Sequence, residues 1–438
     1  MEIFVNPSRE NWAALCLRPS SDNPIVRERV EAIVERVRRD GDKALKELSL
    51  EIDKRPLEEI AVSEAEFAEA NARVSEAVQA AILRAKANIE AFHKAQLPRE
   101  VCVETEPGVK CWQRPVPIAR VGLYVPGGTA PLFSTVLMLA VPAKLAGCGK
   151  VVLCTPTGKD GKVAPEVLFC ANICGVDAVY KLGGAQAVAA MAYGTSSVSK
   201  VDKIFGPGNQ YVTTAKQLLG GRVVSIDMPA GPSEVMVVAD ESANPAFVAA
   251  DLLSQAEHGA DSQAMLVCTS EAFAESVKAE VLAQAATLCR TDYVQSSLSK
   301  SRFFVFANEA DRVDFANAYG AEHLIVSVKE PWKFADRITA AGSVFIGNYS
   351  PESAGDYASG TNHTLPTCGW AASCSGVNID SFMRKMTLQE LSREGLQALS
   401  GTIVAMAEAE GLQAHANAVK VRLAAEKASG TQKMEETR

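Results

Sequence analysis

Apolar side chains recur at helical spacing near the start of the chain. A run that opens with Asn23 and Pro24 and stops at Gly41 repeats apolar residues every three or four positions. Asn can accept hydrogen bonds from the first free amides of a helix, Pro suits the first turn, and Gly often ends a helix. The pattern therefore predicts a helix between Pro24 and Gly41 whose apolar face consists of Val26, Val30, Ile33 and Val37.

A second helical region follows a capping box. Ser63 and Glu66 stand three positions apart, the spacing at which each side chain can bond the backbone amide of the other. A long helix is predicted next, with an apolar stripe of Val78, Ile82, Ala85, Ile89 and Phe92. His93 lies beside this stripe among polar neighbours, and we interpret it as a surface residue. The first hundred residues are thus predicted to be mostly helical.

From residue 120 the pattern changes to short apolar runs that alternate with helical stretches. This alternation predicts parallel strands joined by helices. A first series of strands is predicted at "RVGLYV", "KVVLCT", "AVYKL", "DKIF" and "VVSIDM", and a second at "EVMVVA", "AMLVCT", "RFFVFA", "HLIVSV" and "SVFIG". The predicted fold class is α/β, with two wound, Rossmann-like but incomplete parallel-sheet domains and helical N- and C-terminal extensions.

Residues 347–376 break this pattern. The segment "GNYSPESAGDYASGTNHTLPTCGWAASCSG" has little periodicity and is rich in Gly, Ser, Thr and Asn. A structureless stretch of about thirty residues is uncommon inside a compact protein unless it builds a site. We therefore expect functional residues in it. The chain is predicted to return to helix from residue 387, in a tail that carries Glu410 and His415.

Composition narrows the class of protein. Of the 438 residues 47% are apolar and the net charge is −8, without a block of like charges that would suit nucleic acid or a membrane surface. The start resembles no secretory signal, and the richest apolar run, "STVLMLAVPAKLAG", is short and broken by Pro142. Eleven irregularly spaced cysteines fit reduced thiols. We expect a cytoplasmic protein that acts on small molecules.

Most histidines of the chain lie in polar or Gly-flanked surroundings, namely His258, His323, His363 and His415. Taken singly, each is more often structural than catalytic. Gln255 and His258 are three positions apart, so a helix would place both on one face, and the later segment supplies Asp356 and His363. Imidazole and oxygen ligands without cysteine suit Zn²⁺, with Mn²⁺ or Co²⁺ tolerated. Because Q-x-x-H is a common pattern, spacing alone makes this metal site a hypothesis.

The chain has no complete dinucleotide fingerprint G-x-G-x-x-G after the first strand of either series. The nearest match, "FGPGNQYV", has Tyr211 where the third glycine would stand. "YVPGGTAPL" and "LGGAQAVA" each join a predicted strand to a predicted helix through glycines, which could direct backbone N–H groups at phosphate. On pattern alone, tight strand-to-helix turns are the better interpretation of both.

Longer motifs carry a resemblance to a known family. In order and spacing, seven of them resemble the histidinol dehydrogenase family between about residues 20 and 425: "RVGLYVPGGTAPLFSTVLMLAVPAKLAGC", "VDKIFGPGNQYVTTAK", "DMPAGPSEV", "DLLSQAEHG", "GAEHLIV", "SVFIGNYSPESAGDYASGTNHTLPT" and "HANAV". The resemblance implies a zinc-dependent, NAD-linked four-electron oxidation of L-histidinol to L-histidine through bound L-histidinal, the last step of histidine biosynthesis. It also implies one Zn²⁺ per subunit and a homodimer with shared active sites.

The resemblance implies roles for particular residues. The implied metal ligands are Gln255, His258 and Asp356, together with His415 of the partner subunit. The implied catalytic pair is Glu322 and His323. Substrate contacts are implied for the metal ligands and His323, and also for Ser233, His363 and Glu410. Nucleotide contacts are implied for Tyr124, Gln186 and Asn209. The family often has Pro at the positions of Ala260 and Ala321, which puts the stiffness of two loops in doubt.

We divide the chain accordingly. An N-terminal arm covers residues 1–20, and a first α/β domain, with the helical start and the metal and catalytic residues, covers 21–122 and 233–376. A second α/β domain with the nucleotide contacts covers 123–232, and a helical tail that reaches the partner subunit covers 377–438.

The chemistry assigns a role to each member of the catalytic pair. His323 is suited to accept the alcohol proton because imidazole titrates near neutral pH, and we assign Glu322 to activating the water that hydrates the aldehyde. The metal is expected to hold the imidazole and amine of the substrate as a template. Three alternatives stay open: a family relative that oxidises another small alcohol such as a sulfonated diol, a metal-dependent hydrolase with Glu322 as general base, and a two-domain solute-binding protein.

Overall fold

The computed structural model of the protein describes residues 1–18, 23–127, 131–228 and 231–435. The helices in these ranges are α1 (Arg9–Leu15), α2 (Pro24–Asp40), α3 (Asp42–Leu48), α4 (Glu64–Arg73), α5 (Glu76–Lys94), α6 (Phe133–Leu145), α7 (Pro165–Ile173), α8 (Gly184–Tyr193), α9 (Gln210–Leu219), α10 (Pro245–Ala256), α11 (Glu271–Ala285), α12 (Thr291–Lys300), α13 (Glu309–Tyr319), α14 (Pro331–Ala335), α15 (Glu352–Tyr357), α16 (Arg393–Ala409) and α17 (Gln413–Glu435).

The strands of the same ranges form three sheets. They are β1 (Glu2–Val5), β2 (Val101–Glu106), β3 (Val109–Pro117), β4 (Arg120–Tyr124), β5 (Lys150–Cys154), β6 (Ala178–Tyr180), β7 (Lys203–Phe205), β8 (Ser225–Ile226), β9 (Glu234–Ala239), β10 (Gln263–Cys268), β11 (Arg302–Val305), β12 (His323–Ser327), β13 (Ser343–Ile346) and β14 (Met383–Leu391). By contacts the chain divides into one unit of Met1–Leu97 with Pro117–Phe382 and a second of Pro98–Val116 with Met383–Arg438.

The larger sheet of the first unit has six parallel strands in the order β1-β11-β10-β9-β12-β13. Its central strands, β9 and β10, are buried along their whole length, so they appear in the sequence as continuous apolar runs. Separate apolar clusters cover the two faces. The predicted second series of strands is confirmed. β1 adds an edge strand that was not predicted.

The smaller sheet of the first unit has five parallel strands in the order β6-β5-β4-β7-β8. The predicted first series of strands is confirmed. Apolar residues of α2, α3 and α8 belong to the same core cluster as those of β4 and β5. The predicted α/β fold with two wound parallel sheets is therefore confirmed, while the domain boundaries stay a prediction.

The second unit is built from a three-stranded sheet and two long helices. β3 lies between β14 and β2, and β2 pairs with β3 antiparallel. α16 and α17 pack against each other. One expectation is wrong here: the tail remains a strand up to Leu391, so its helix begins at Arg393 rather than near residue 387. The strands β2 and β3 were not predicted.

The predicted boundaries of the helix from Pro24 to Gly41 and the predicted capping box are confirmed. The Asn23 side chain accepts from the amides of Ile25 and Val26, and α2 ends at Gly41 with a φ of 54°. Ser63 and Glu66 form both halves of a capping box at the start of α4. The first hundred residues are mostly helical, as predicted.

The interpretation of His93 as a surface residue is wrong. His93 is completely buried and continues the stripe of Ile82, Ala85 and Ile89, whereas Phe92 is 48% exposed. Its Nδ1 lies 2.9 Å from the carbonyl oxygen of Ile89, and the amide nitrogen of Asn362 lies 3.4 Å from Nε2. Burial lowers the pKa of His93. The imidazole is tolerated in the core because both nitrogens have partners.

The segment 347–376 is less irregular than expected. It contains α15 and a short 3₁₀ turn at Trp370–Ala372. The apolar run around Pro142 forms α6, which packs inside the first unit and is buried over most of its length. Within the described ranges, no helix combines the length and apolarity needed to cross a membrane.

Candidate active site

The predicted catalytic pair stands where strands of the six-stranded sheet begin. His323 is the first residue of β12, and Glu322 precedes it. Ser233 immediately precedes β9, and His323 is in register with Val235 of that strand. The pair therefore lies at the amino ends of β9 and β12. Ligands of open α/β sheets usually bind at the carboxyl ends, so the fold class alone would predict a site at the opposite edge of this sheet.

Two helices bring the predicted metal ligands to the same place. Gln255 lies in the last turn of α10, and His258 follows just beyond its end. α15 carries Glu352 and Asp356 four positions apart, on one face. One nitrogen of His258 and one oxygen from each of the two carboxylates all lie within 4.8 Å of one another. These three side chains could together hold a metal ion.

His323 lies among three carboxylates, and we call Glu322, His323, Glu352 and Asp356 the open cluster. Nδ1 of His323 is 3.7 Å from Oε2 of Glu322 and 3.9 Å from Oε1 of Glu352. Nε2 is 3.5 Å from Oδ1 of Asp356. Among the described residues, both ring nitrogens and Oε2 of Glu352 are buried without a hydrogen-bond partner. Buried polar atoms without partners are rare, so this cluster is arranged for a further ligand.

The crowded charges shift every pKa in the open cluster. Burial raises the pKa of Glu322 to about 8 and that of Glu352 to about 8, although His323 opposes both shifts. Burial lowers the pKa of His323, but Glu352, Glu322 and Asp356 outweigh burial and raise it to about 10. Burial also raises the pKa of Asp356, but His323 and the neighbouring imidazoles bring it below its usual value. Such opposed shifts in one pocket are typical of functional sites.

The Gln255 carboxamide lies between two carboxylates and a backbone amide. Its oxygen faces Oε1 of Glu352, and its nitrogen faces the N–H of Glu234 and, at 3.4 Å, Oε2 of Glu322. Turned over, the amide would donate to Glu352 and accept from Glu234 at 2.7 Å. Which way an amide points is an assignment from its surroundings. The turned orientation gives both atoms of the carboxamide a hydrogen-bond partner.

A second buried polar group supports the site, and we call Arg18, Glu234, Gln263 and Tyr319 the anchored cluster. The Glu234 carboxylate accepts from Nε of Arg18 at 2.6 Å, from Nη2 of Arg18 at 3.2 Å and from the Tyr319 hydroxyl at 3.1 Å. The Arg18 guanidinium also lies 4.0 Å from the centre of the Tyr319 ring. The backbone N–H of Glu234 donates to Oε2 of Glu322 at 2.9 Å and so fixes one member of the catalytic pair.

His363 is held by two neighbours. Its Nδ1 lies 2.8 Å from the carbonyl oxygen of Asp356 and therefore carries the proton. Its Nε2 then accepts from the hydroxyl of Thr135 at 3.1 Å. Burial lowers the pKa of His363, which favours this neutral form. The histidine therefore fixes the end of α15, which carries Asp356.

A cavity of about 420 Å³ lies next to this site. Ser233 and His258 line it, together with the glycine-rich turn that contains Gly208 and Asn209. A cavity of this size suits a small metabolite. The predicted substrate contact Ser233 and the predicted ligand His258 thus border one cavity.

The predicted nucleotide contacts border a second, larger cavity of about 850 Å³. Tyr124, Gln186 and Asn209 all line it. Tyr124 stands at the carboxyl end of β4, and its hydroxyl accepts from the backbone N–H of Gly184 at 3.1 Å. Burial raises the pKa of Tyr124 to about 12, so the phenol stays neutral. This cavity lies at the carboxyl edge of its sheet, where nucleotides usually bind in α/β folds.

Asn209 lines both cavities. Its side-chain oxygen caps α9 by accepting from the amides of Tyr211 and Val212, which leaves the amide nitrogen available. The interpretation of "LGGAQAVA" as a strand-to-helix turn is confirmed, because Gly183 caps α8 directly after β6. Part of "YVPGGTAPL", residues 128–130, lies outside the described residues.

The remaining predicted residues belong to the second unit. Glu410 caps the end of α16, and His415 lies in the first turn of α17. Both side chains are exposed in this unit.

Sequence reasoning missed Glu352. The signal was present, because Glu352 stands four positions before Asp356, the spacing that places two side chains on one helical face. The spacing is informative only in a helix, and the low periodicity of residues 347–376 does not predict the short helix α15.

Comparison with known proteins identifies relatives along nearly the whole chain. The family model described as histidinol dehydrogenase matches residues 16–423. A histidinol dehydrogenase of Bacteroides fragilis is 54% identical over 423 residues, 97% of this chain and 99% of that protein. One of Vibrio parahaemolyticus is 52% identical over 424 residues, 96% of this chain and 97% of that protein. The crystal structure of histidinol dehydrogenase from Elizabethkingia anophelis superimposes with a TM-score of 0.95 at 48% identity, covering 98% of this chain and 99% of that one.

Proposed function

Because the chain belongs to the histidinol dehydrogenase family, we propose that it oxidises L-histidinol to L-histidine through bound L-histidinal, the last step of histidine biosynthesis, with NAD as the electron acceptor and zinc in the site. One observation carries this proposal: Gln255, His258, Glu322, His323 and Asp356, which are scattered over a hundred residues of sequence, meet around one buried cluster beside a small cavity.

The residues present fit a divalent cation. Within the described part of the chain, the ion pairs of Glu322, Glu352 and Asp356 are all with His323, so three carboxylates share one cationic partner. The unpartnered Oε2 of Glu352 supports the same assignment. Nitrogen and oxygen donors without thiolate suit Zn²⁺.

We assign the zinc ligands to Gln255, His258 and Asp356, and to His415 of the partner subunit. Bound zinc would supply a template that orients the imidazole and amine of the substrate. Glu352 would lie against this set and orient it, since carboxylates behind metal ligands fix their geometry.

His323 is the proposed base for the alcohol. Its Nε2 faces Asp356. Bound zinc would offset the carboxylates that raise the pKa of this imidazole, and the neutral ring could then accept the hydroxyl proton at Nε2 as hydride leaves the substrate carbon. Nδ1 faces Glu322 and Glu352, whose carboxylates stabilise the resulting imidazolium. The unpartnered state of both ring nitrogens leaves the ring free for this transfer.

Glu322 is the proposed base for the second oxidation. The aldehyde must add water before a second hydride can leave, and a carboxylate whose pKa is raised by burial is matched to take a proton from that water. The Glu234 amide holds the carboxylate in place at 2.9 Å. Ser233, His363 and Glu410 are proposed substrate contacts.

NAD would supply the hydride acceptor when bound in the larger cavity. We assign Tyr124, Gln186 and Asn209 as its contacts, since all three line that cavity. Because Asn209 borders both cavities, it marks the place where the nicotinamide would meet the substrate.

We also propose a homodimer with shared sites, in which Glu410 and His415 of the partner subunit complete each site. In a two-fold dimer the exchange is reciprocal. Gln255→Ala and His415→Ala dimers should each be inactive, but mixed dimers would contain one intact site, so random reassortment should restore about a quarter of the parent activity. No recovery, with mixed dimers shown to be present, would assign His415 to its own chain.

The overall proposal is tested by following NADH formation from histidinol and from histidinal, beside a panel of other amino alcohols and small diols. We expect two NADH per histidinol and product that is histidine. NADH only from another small alcohol, such as a sulfonated diol, would identify the chain as a relative with a different substrate. A hydrolase or a solute-binding protein would form none.

A further inference from the structure

A lysine and an aspartate are buried together beside the turn that carries Asn209 to the larger cavity. The side chains of Lys216 and Asp227 are 5% and 2% exposed and form an ion pair. Lys216 lies on α9, and Asp227 follows β8. Burying an ion pair removes two charges from water, and apolar residues of similar size often stabilise a fold at least as well. Stability alone is therefore a weak explanation for this pair.

Both side chains hold the same residue, Gly206. Nζ of Lys216 donates to the carbonyl oxygen of Gly206 at 2.9 Å, and Oδ2 of Asp227 accepts from its N–H at 2.8 Å. Gly206 has a φ of 122°, and a Cβ at this position would collide with the carbonyl oxygen of Tyr124. The pair thus fixes both peptide groups of a residue that must stay free of a side chain because it packs on Tyr124.

Gly206 begins the turn that carries Asn209. The turn passes from β7 to α9 through Pro207 and Gly208, and Asn209 caps the helix on which Lys216 lies. These contacts depend on one another. Helix α9 carries Lys216, Lys216 holds Gly206, and Gly206 begins the turn that leads into α9. Gly206 packs against the backbone of Tyr124 and precedes Asn209 by three residues in the turn, and both of these residues line the larger cavity.

We propose that Lys216 and Asp227 are positioning residues for the dinucleotide, which act by fixing Gly206 so that Asn209 and Tyr124 keep their places at the larger cavity. The inference rests on the proposed NAD-linked function. It assigns no chemistry to the pair and predicts an effect on nucleotide binding rather than on the substrate site.

The test uses a variant that removes the pair without leaving a lone charge. In Lys216→Met/Asp227→Asn the asparagine still accepts from the Gly206 N–H, but the donor to its carbonyl oxygen is lost. We expect a Tm near that of the parent and NADH binding weaker by roughly tenfold in a fluorescence titration, the typical effect of one lost hydrogen bond to a charged donor. KM for NAD should rise while KM for histidinol stays unchanged, and hydrogen exchange in residues 206–209 should become faster.

A matched control comes from the same sheet. Lys144 pairs with Asp177 at 2.8 Å, and their side chains are 30% and 39% exposed. Like Asp227, Asp177 also accepts a hydrogen bond from a backbone N–H. Lys144→Met/Asp177→Asn should bind NADH as the parent does. Lys216→Met alone should lose both stability and NADH affinity, because it leaves Asp227 buried without its counter-charge.

Parent-like NADH binding by the double variant would overturn the proposal. If that variant does not fold, Gly206→Ala provides the second test, since its Cβ displaces the turn without changing either charge, and parent-like NADH binding by this variant would also overturn it. The outcome is separable from the proposed function: a parent protein that binds NADH but forms none from histidinol contradicts that function and leaves the binding test intact.

Discussion

The anchored cluster and the open cluster lie next to each other, and each buries carboxylate beside a basic side chain, yet they differ in how their polar atoms are satisfied. Both oxygens of Glu234 accept hydrogen bonds, from Arg18 and Tyr319. In the open cluster, both nitrogens of His323 and one oxygen of Glu352 have no hydrogen-bond partner among the described residues.

This difference separates structural from functional burial of charge. A buried carboxylate with a guanidinium and a hydroxyl needs nothing more, and removing one partner leaves the other charge uncompensated. A buried imidazole among three carboxylates is unfavourable by itself and becomes favourable when a ligand arrives. The two clusters therefore predict opposite outcomes for similar substitutions.

The largest effect is expected at His323. His323→Asn should slow oxidation of histidinol by about 10² to 10⁴-fold, the usual effect of removing a general base, with little change in Tm. NADH formation and thermal unfolding measure the two quantities. His93→Asn is the matched control: that imidazole is also buried but fully bonded, so its loss should lower stability and leave the rate of the folded enzyme unchanged. If His323→Asn lowers Tm as much as His93→Asn does, the distinction between the two buried histidines is wrong.

Glu322→Gln should act on the second half of the reaction. With supplied histidinal, NADH formation should fall by about 10² to 10⁴-fold, because amide oxygen is a poor base for the hydrating water. The first turnover of histidinol to histidinal should fall less. Rapid mixing with each substrate in turn gives both rates, and equal loss with the two substrates would remove the assigned division of labour between Glu322 and His323.

In the anchored cluster, Glu234→Gln should lower the free energy of unfolding by about 3 to 5 kcal/mol, because Arg18 would remain buried without its counter-charge. Urea unfolding of the metal-free protein measures this loss. The control is Glu31→Gln, which breaks an exposed pair with Arg27 and should lower the free energy of unfolding by at most about 0.5 kcal/mol. Similar small losses for both variants would mean that Glu234 is not structurally required.

The smallest effect is expected for Glu352→Gln. The metal-free protein should not lose stability, because the change removes one of three crowded carboxylates, whereas zinc affinity should fall by about 10- to 100-fold. Competition with a chelator gives the affinity, and thermal unfolding of the chelated protein gives the stability. A loss of stability as large as that of Glu234→Gln would show that Glu352 is required for folding, as a residue of the anchored cluster would be.

The central strands were predictable because parallel strands buried on both faces appear as unbroken apolar runs. "EVMVVA" coincides with β9 for this reason. β2 and β14 were missed because most of their residues are exposed, so neither carries an apolar run or a clear alternation. The signals that identify a strand by its burial are absent when the strand is not buried.

The site was predictable to a different extent. Motif resemblance named Glu322 and His323, and the apolar runs predicted strands that begin at His323 and at Glu234, but no local pattern could show that these two strands are neighbours in the sheet. Glu352 contacts the site only because a single helical turn forms within an irregular segment, and His93 is buried only because Asn362, far along the chain, supplies a partner. Both facts depend on contacts between distant residues, which sequence spacing does not contain.

The place of β1 at the edge of the six-stranded sheet has a consequence for biosynthesis. Glu2 pairs with Arg302, so this strand is made long before β11, the strand that it pairs with in the described part of the chain. At roughly 5 to 20 residues per second, the ribosome needs about 15 to 60 seconds to add the intervening residues. The five-stranded sheet, whose strands all lie between Arg120 and Ile226, can close within that interval. During translation β1 must therefore wait with its backbone unpaired, and a cell that makes this protein faster than it folds would first accumulate chains whose amino-terminal strand can pair with another molecule.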